Sequence, residues 1–217
     1  MRVNGTSYRT VWTEGGAVKL IEQRLLPHRF EILECATHRD TAEAIKTMAV
    51  RGAGAIGAAA GYAMAQAALE APDHDFEAFI EQAASTIRST RPTARDLFYA
   101  VERVQEAIRR AATTAHAREA AVTEAQRLAD ENVAACERIG VVGEPLLPDG
   151  ARVLTHCNAG WLAFVDWGSA LAPIYQAHRH GKRLHVYATE TRPRSQGAKL
   201  TAWALGEEGV PYTLIAD

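Results

Sequence analysis

Arg51 stands directly before Gly52-Ala53-Gly54-Ala55-Ile56-Gly57, so the stretch VRGAGAIG holds a literal G-x-G-x-x-G. Glycines at that spacing serve dinucleotide binding when they follow a strand and open a helix, with an acidic residue about 20 positions on to hold a ribose. Here the preceding TAEAIKTMAV has helical periodicity, with Ala44, Ile45 and Met48 on one face, and the segment up to Ala71 is helical as well. Glu70 and Asp73 fall near the required distance, but at a helix end. The βαβ context is missing, and no Lys-Ser/Thr pair follows the glycines to make a P-loop. Close helix packing accounts for Gly57 and Gly61 but leaves Arg51 unexplained. An arginine leading into a glycine turn that opens a helix combines a bidentate fork with outward N–H groups and the positive helix end. That combination suits a phosphate without a nucleotide.

Cys157, in LTHCNAGWLAF, sits where a strand ends, and Asn158 and Gly160 after it can turn the chain tightly into a following helix. Ligands bind at the carboxyl edge of open parallel sheets, and a helix N-terminus favours the reactive thiolate. The alternative, a small core hydrophobe, is the commoner fate of a cysteine and is the one expected for Cys35 and Cys136. His156 is adjacent, but neighbours on a strand face opposite ways, which argues against a Cys–His dyad. His178, His180 and His185 spread over a turn as solvated or dipole-complementing groups, and no H-x-x-x-H metal pattern exists. In ATETRPRSQGAKLTAW, Gln196 falls in the first turn of a helix, where it can reach a sugar hydroxyl. Arg192 and Arg194 can bind an anion or lie in solvent. Arg91 precedes Pro92, a favoured first-turn residue, and with Arg51 would form a two-arginine phosphate clamp.

These residues need two kinds of scaffold. YRTVW (8–12) and AVKLIE (17–22) flank the turn TEGG and predict a small β-hairpin. Asp40-Thr41 offers a helix N-cap, the Ala-rich helix follows the glycines, and further helices are expected at about 76–89, 93–113 and 118–139. Residues 1–140 therefore read as a mainly helical N-terminal domain with a small β element. The loop GVVGEPLLPDGA changes the composition sharply. After it, ARVLTHC, RLHVYATE and PYTLIAD read as strands, and FVDWGSALAPIYQAHRHG and SQGAKLTAWALGEEG as helices. Such alternation predicts an α/β parallel sheet over 150–217, the first part of a Rossmann-like domain whose remainder is expected beyond Asp217.

A net charge of −2 leaves no basic excess for nucleic acid. The polar opening MRVNGTSYRTVWTEGG lacks a signal-peptide core, and no apolar run reaches membrane-spanning length. Three widely spaced cysteines argue against a disulfide framework or a CxxC metal site. A cytoplasmic enzyme, or a relative of one, without a metal cluster is the expectation.

Together, EAIKTMAVRGAGAIGAAAGYAMA, STRPTARDLFYAVERV, LTHCNAGWLA and ATETRPRSQGAKLTAWAL resemble the methylthioribose-1-phosphate isomerases. The likeness runs in order along the whole chain, and HCNxG with ETRPxxQG is its specific part. Ribose-1,5-bisphosphate isomerases and the α-type regulatory subunits of an initiation-factor exchange factor share the fold but generally lack that full combination. The resemblance implies cofactor-free conversion of 5-methylthioribose 1-phosphate to 5-methylthioribulose 1-phosphate in methionine salvage, by a homodimer. It implies Cys157 as the catalytic cysteine and Arg51, Gly52, Ala53, Arg91 and Gln196 as substrate contacts. The family's catalytic aspartate, in a GADR-like segment, and a later Asn-Lys pair are not among these 217 residues. A separate C-terminal fragment as partner, or an inactive truncated chain, is one expectation. A non-catalytic regulatory or scaffold relative, or an isomerase of another ribose phosphate, is the alternative. In the resembled family the loop commonly runs R-G-A-P-A. Here Gly54 stands at the proline's place, which creates the G-x-G-x-x-G.

Overall fold

The computed structural model describes residues 1–217. The chain divides into two compact units, one of Val11–Arg24 with Glu31–Glu131, the other of Met1–Thr10, Leu25–Phe30 and Asn132–Asp217.

In the first unit, β3 (Val11–Glu14) and β4 (Ala17–Ile21) form the hairpin around TEGG. It closes on Gly15 and Gly16 at φ 61° and 87°, the two left-handed residues that match a hairpin's twist. The first strand starts at Val11 rather than near residue 8, because Val11 pairs with Leu20. A third strand, β5 (Ile32–Cys35), adds antiparallel to β4 and is not legible from the alternation. Helix α1 (His38–Lys46) is capped by Thr37, not by Asp40-Thr41. Thr37 accepts the Asp40 N–H while the Asp40 carboxylate accepts the Thr37 N–H, a capping box that places Asp40 in the first turn.

Helix α2 (Ala53–Glu70) is buried from Gly54 to Ala68, so it is the axis of this unit. Its Ala-Gly sequence fits that place, since small side chains let neighbours approach on every side. Around it pack α1, α3 (Phe76–Ser89) and α4 (Arg95–Arg109). The buried Leu97, Ala100, Val101, Val104 and Ile108 form the expected apolar stripe of α4. Helix α5 (Thr114–Gly143) is longer than the expected 118–139. Arg118, in its first turns, donates to the Ala68 and Ala71 carbonyls and so closes the C-terminus of α2.

The second unit carries a short N-terminal ribbon, β1 (Arg2–Val3) with β2 (Thr6–Ser7), and a three-stranded parallel sheet. The sheet has the order β6 (Ala151–Thr155), β7 (Leu184–Thr189), β8 (Tyr212–Ile215), with Val153, Val186 and Tyr212 in one row. Val186 and Ala188 lie buried on one face. The expected helix over 164–181 is confined to α6 (Ala172–Arg179). Upstream, Trp167 and Gly168 at φ 62° and 83° cannot continue a helix, and a Cβ on Gly168 would meet Gly160. The next helix is a π turn, Gly197–Thr201, running into α7 (Ala202–Glu207). Trp161, Trp203, Phe30 and Tyr8 form a chain of ring contacts that anchors this unit. No helix is long and apolar enough to cross a membrane.

Candidate active site

The arginine loops are set by helix ends. Helix α1 stops at Thr47, and Met48 takes the left-handed conformation that closes such an end. Ala49 then accepts the Gln23 N–H, and the chain passes through half-buried Arg51 to Gly52. Gly52, at φ 97°, is the N-cap of α2 and supplies no side chain to cap it. At the other loop, α4 begins at Arg95, not at Pro92. Ala94 at φ 77° breaks the path from Pro92, and it too leaves the helix uncapped by any side chain.

A Cβ on Gly57 would lie 2.9 Å from Asp96 Cβ, and one on Gly61 would lie 3.9 Å from Ala100 Cβ. Both pairs advance in the same direction, so α2 and α4 run parallel with their N-termini at one end. Two positive helix ends and the loops carrying Arg51 and Arg91 therefore share that end. Arg91 Nε is buried there with no hydrogen-bond partner in the protein. A buried donor left so costs free energy unless a ligand takes it.

The second unit carries Cys157 and Gln196. Cys157 lies beyond β6, half-buried, at φ 64°. Strand alternation therefore does not govern it, and opposite strand faces do not separate its side chain from that of His156. The His156 ring is engaged elsewhere, 2.6 Å from Thr189 Oγ1. Downstream of Cys157 the chain makes only a three-residue 3₁₀ turn, Trp161–Ala163, too short for the helix-dipole effect expected from the sequence. The Cys157 N–H donates to Thr191 Oγ1 at 3.0 Å, and Thr201 Oγ1 donates to the Cys157 carbonyl at 2.6 Å. Asn158 Nδ2 donates to the same Thr201 hydroxyl at 3.1 Å.

The ETRPRSQG turn is tightly folded, with Thr191 and Ser195 at φ 60° and 56° and a cis bond at Arg192–Pro193. The Thr191 and Arg192 N–H groups donate to the two Asp217 carboxylate oxygens, each at 2.7 Å. Those bonds hold the Asp217 carboxyl below its ordinary range. Both oxygens being engaged, Asp217 has a structural role. Gln196 is half-buried, and its Oε1 is buried with no partner in the protein. Arg192 is exposed, as is Arg194. His185 Nε2 lies 2.8 Å from Thr213 Oγ1. Burial pushes the Cys35 and Cys136 thiols up to about 11.

Arg51, Gly52, Ala53 and Arg91 thus fall in the first unit, Cys157 and Gln196 in the second. Thr191, Thr201 and Asp217 escape a reading of the sequence because only the fold links them to Cys157, Thr191 and Thr201 by direct hydrogen bonds and Asp217 through Thr191. No group of three or more His, Cys, Asp or Glu side chains is arranged to hold a metal ion.

The chain is 50% identical, over its whole length, to a methylthioribose-1-phosphate isomerase of Methylorubrum extorquens, and 50% identical over 98% of its length to one of Roseiflexus castenholzii. It spans 61% and 62% of those relatives. A solved 5-methylthioribose 1-phosphate isomerase of Pyrococcus horikoshii OT3 superposes with a TM-score of 0.91 at 37% identity, covering 97% of this chain and 60% of the other. A structure described as translation initiation factor eIF-2B, subunit delta, from A. fulgidus gives 0.89 at 44% identity, covering 97% and 62%. The profile of the initiation factor 2 subunit family matches residues 49–217, and the chain belongs to that family.

Proposed function

We propose that this chain supplies the phosphate-binding helices and the catalytic cysteine of an aldose–ketose isomerase that acts on 5-methylthioribose 1-phosphate in methionine salvage. The observation that carries the reading is the shared N-terminal end of α2 and α4. Two uncapped helix starts and a buried, unpartnered Arg91 Nε stand together there, a disposition suited to an anion. The relatives' names supply the substrate.

In such a substrate the phosphate on O1 blocks simple ring opening. The C1–O4 bond must break with O4 gaining a proton, O2 must lose one, and the hydrogen on C2 must move to C1. Two positioned acid–base groups are needed, and Cys157 is the one proposed here. The resemblance implies an aspartate, not among these 217 residues, as the other. Arg51, the N–H groups of Gly52 and Ala53, and Arg91 anchor the phosphate, and Gln196 Oε1 accepts from a sugar hydroxyl. A homodimer is proposed from the resemblance.

The test is turnover of 5-methylthioribose 1-phosphate by this chain alone and with a co-purifying or co-expressed C-terminal segment. Cys157→Ser in the active assembly is expected to lower kcat by orders of magnitude while the protein still folds. Near-normal turnover in that variant removes Cys157 from the mechanism. A folded assembly that binds the sugar phosphate without converting it favours the regulatory alternative.

A further inference from the structure

We infer that Thr191, seated by Asp217, is a positioning residue for the Cys157 thiol, an inference that rests on the reading of Cys157 as an acid–base group. A non-glycine residue keeps a φ near +60° only where its surroundings hold it there. Cys157 and Thr191 both do so, at 64° and 60°. Cys157 is gripped on each side, its N–H by Thr191 Oγ1 and its carbonyl by Thr201 Oγ1. Thr191 is gripped in turn, its N–H donating to Asp217 at 2.7 Å and its carbonyl accepting from the Ser195 N–H at 2.7 Å. Its hydroxyl accepts from Cys157 and reaches the Thr189 carbonyl at 3.4 Å with its own proton.

The result is a rung across the carboxyl ends of three adjacent strands. Asp217 follows β8, Thr191 follows β7 and Cys157 follows β6. A left-handed residue at a strand's end leaves the strand's alternation and sends its side chain in a direction the strand would not give. Thr191 thereby sets the direction of the thiol without entering the chemistry.

Thr191→Val keeps the shape of the residue but cannot accept the Cys157 N–H, whereas Thr191→Ser can. In the assembly that turns over 5-methylthioribose 1-phosphate, Thr191→Val is expected to lower kcat on the order of ten- to a hundredfold with KM little changed, as for a misplaced reacting group. Thr191→Ser restores it. The second readout is the iodoacetamide labelling rate of Cys157 in the chain of 217 residues, with buried Cys35 and Cys136 reporting any general opening. Thr191→Val is expected to change the Cys157 rate several-fold while the other two stay unlabelled. If Thr191→Val does not fold, Asp217→Asn is read the same way. A changed Cys157 rate supports the inference, and an unchanged one overturns it. An active Cys157→Ser variant sinks the catalytic reading. An inactive one, beside a Thr191→Val with wild-type kcat and labelling, overturns the positioning role alone.

Discussion

A Cβ on Gly197 would stand 1.7 Å from the carbonyl oxygen of Thr189. The π turn that opens at Gly197 is therefore pressed against the end of β7, and only glycine permits it. Gly197→Ala must push helix and strand apart, at a cost of about 2–3 kcal/mol by the usual measure of overpacking. Gly206, in the following helix, is the control. A Cβ there meets nothing closer than Tyr212 Cε1 at 3.9 Å, so Gly206→Ala gains up to about 1 kcal/mol of helix propensity. Urea unfolding midpoints should move in opposite directions, and equal midpoints would show that the Gly197 approach is not tight.

Arg91 is expected to behave as a binding residue and not as a structural one. Its Nε has no partner within the protein, so Arg91→Ala removes no internal hydrogen bond from that atom, relieves a buried unpaired donor, and should leave the urea midpoint in phosphate-free buffer unchanged or raised. The same variant should weaken binding of inorganic phosphate on the order of ten- to a hundredfold, since a charge-assisted bond is worth about 1.5–3 kcal/mol. Arg91→Lys should recover only part of that, because an ammonium cannot reproduce the fork. Calorimetric titration with phosphate decides it. Affinity within a factor of two of wild type would remove Arg91 from the anion site.

The helices are legible in the sequence because their signals are local. The stripe Leu97, Ala100, Val101, Val104, Ile108 is a period, and a period survives without tertiary knowledge. The loop between Gly160 and Ala172 imitates a helix because AFVDWGSAL carries apolar residues at helical spacing. The packing of Gly168 on Gly160 overrides them, a contact eight residues apart that no period reveals. The site divides the same way. Arg51, Arg91, Cys157 and Gln196 stand out by type and neighbours, whereas Thr191 and Asp217 acquire their roles only when β6, β7 and β8 align, and Thr201 only when the π turn meets the Cys157 carbonyl.

The two buried thiols give the protein an alkaline limit. Burial holds Cys35 and Cys136 at about 11 against an unfolded value of 9.0. Their folded pKa is raised, so their contribution is complete below pH 9 and is lost as pH climbs through 11. Each thiol accounts for on the order of 2–3 kcal/mol over that window, at about 1.4 kcal/mol per pKa unit. The urea midpoint should fall between pH 8.5 and about 11, and the Cys35→Ala, Cys136→Ala double variant should fall less steeply. A double variant with the same slope as wild type would assign the decline to other groups.

Gly54 decides what the G-x-G-x-x-G means. It is the second residue of α2 and is absent from the residues with positive φ, so its backbone is open to proline. The first bond of the helix runs from the Ile56 N–H to the Gly52 carbonyl, so the Gly54 N–H is not needed by the helix. Gly54→Pro is expected to stabilise by about 0.4–1 kcal/mol through the unfolded chain, less whatever Ala53 loses by preceding a proline. That corresponds to a rise in Tm of up to about 4 °C for a chain of this length. The variant also destroys the glycine pattern. If the pattern is an accident over an arginine-led phosphate loop, phosphate affinity persists in Gly54→Pro, carried by Arg51, Arg91 and the remaining N–H groups. A variant that melts higher yet no longer binds phosphate would mean that the Gly54 N–H itself is a ligand, and that the glycine is there for the anion.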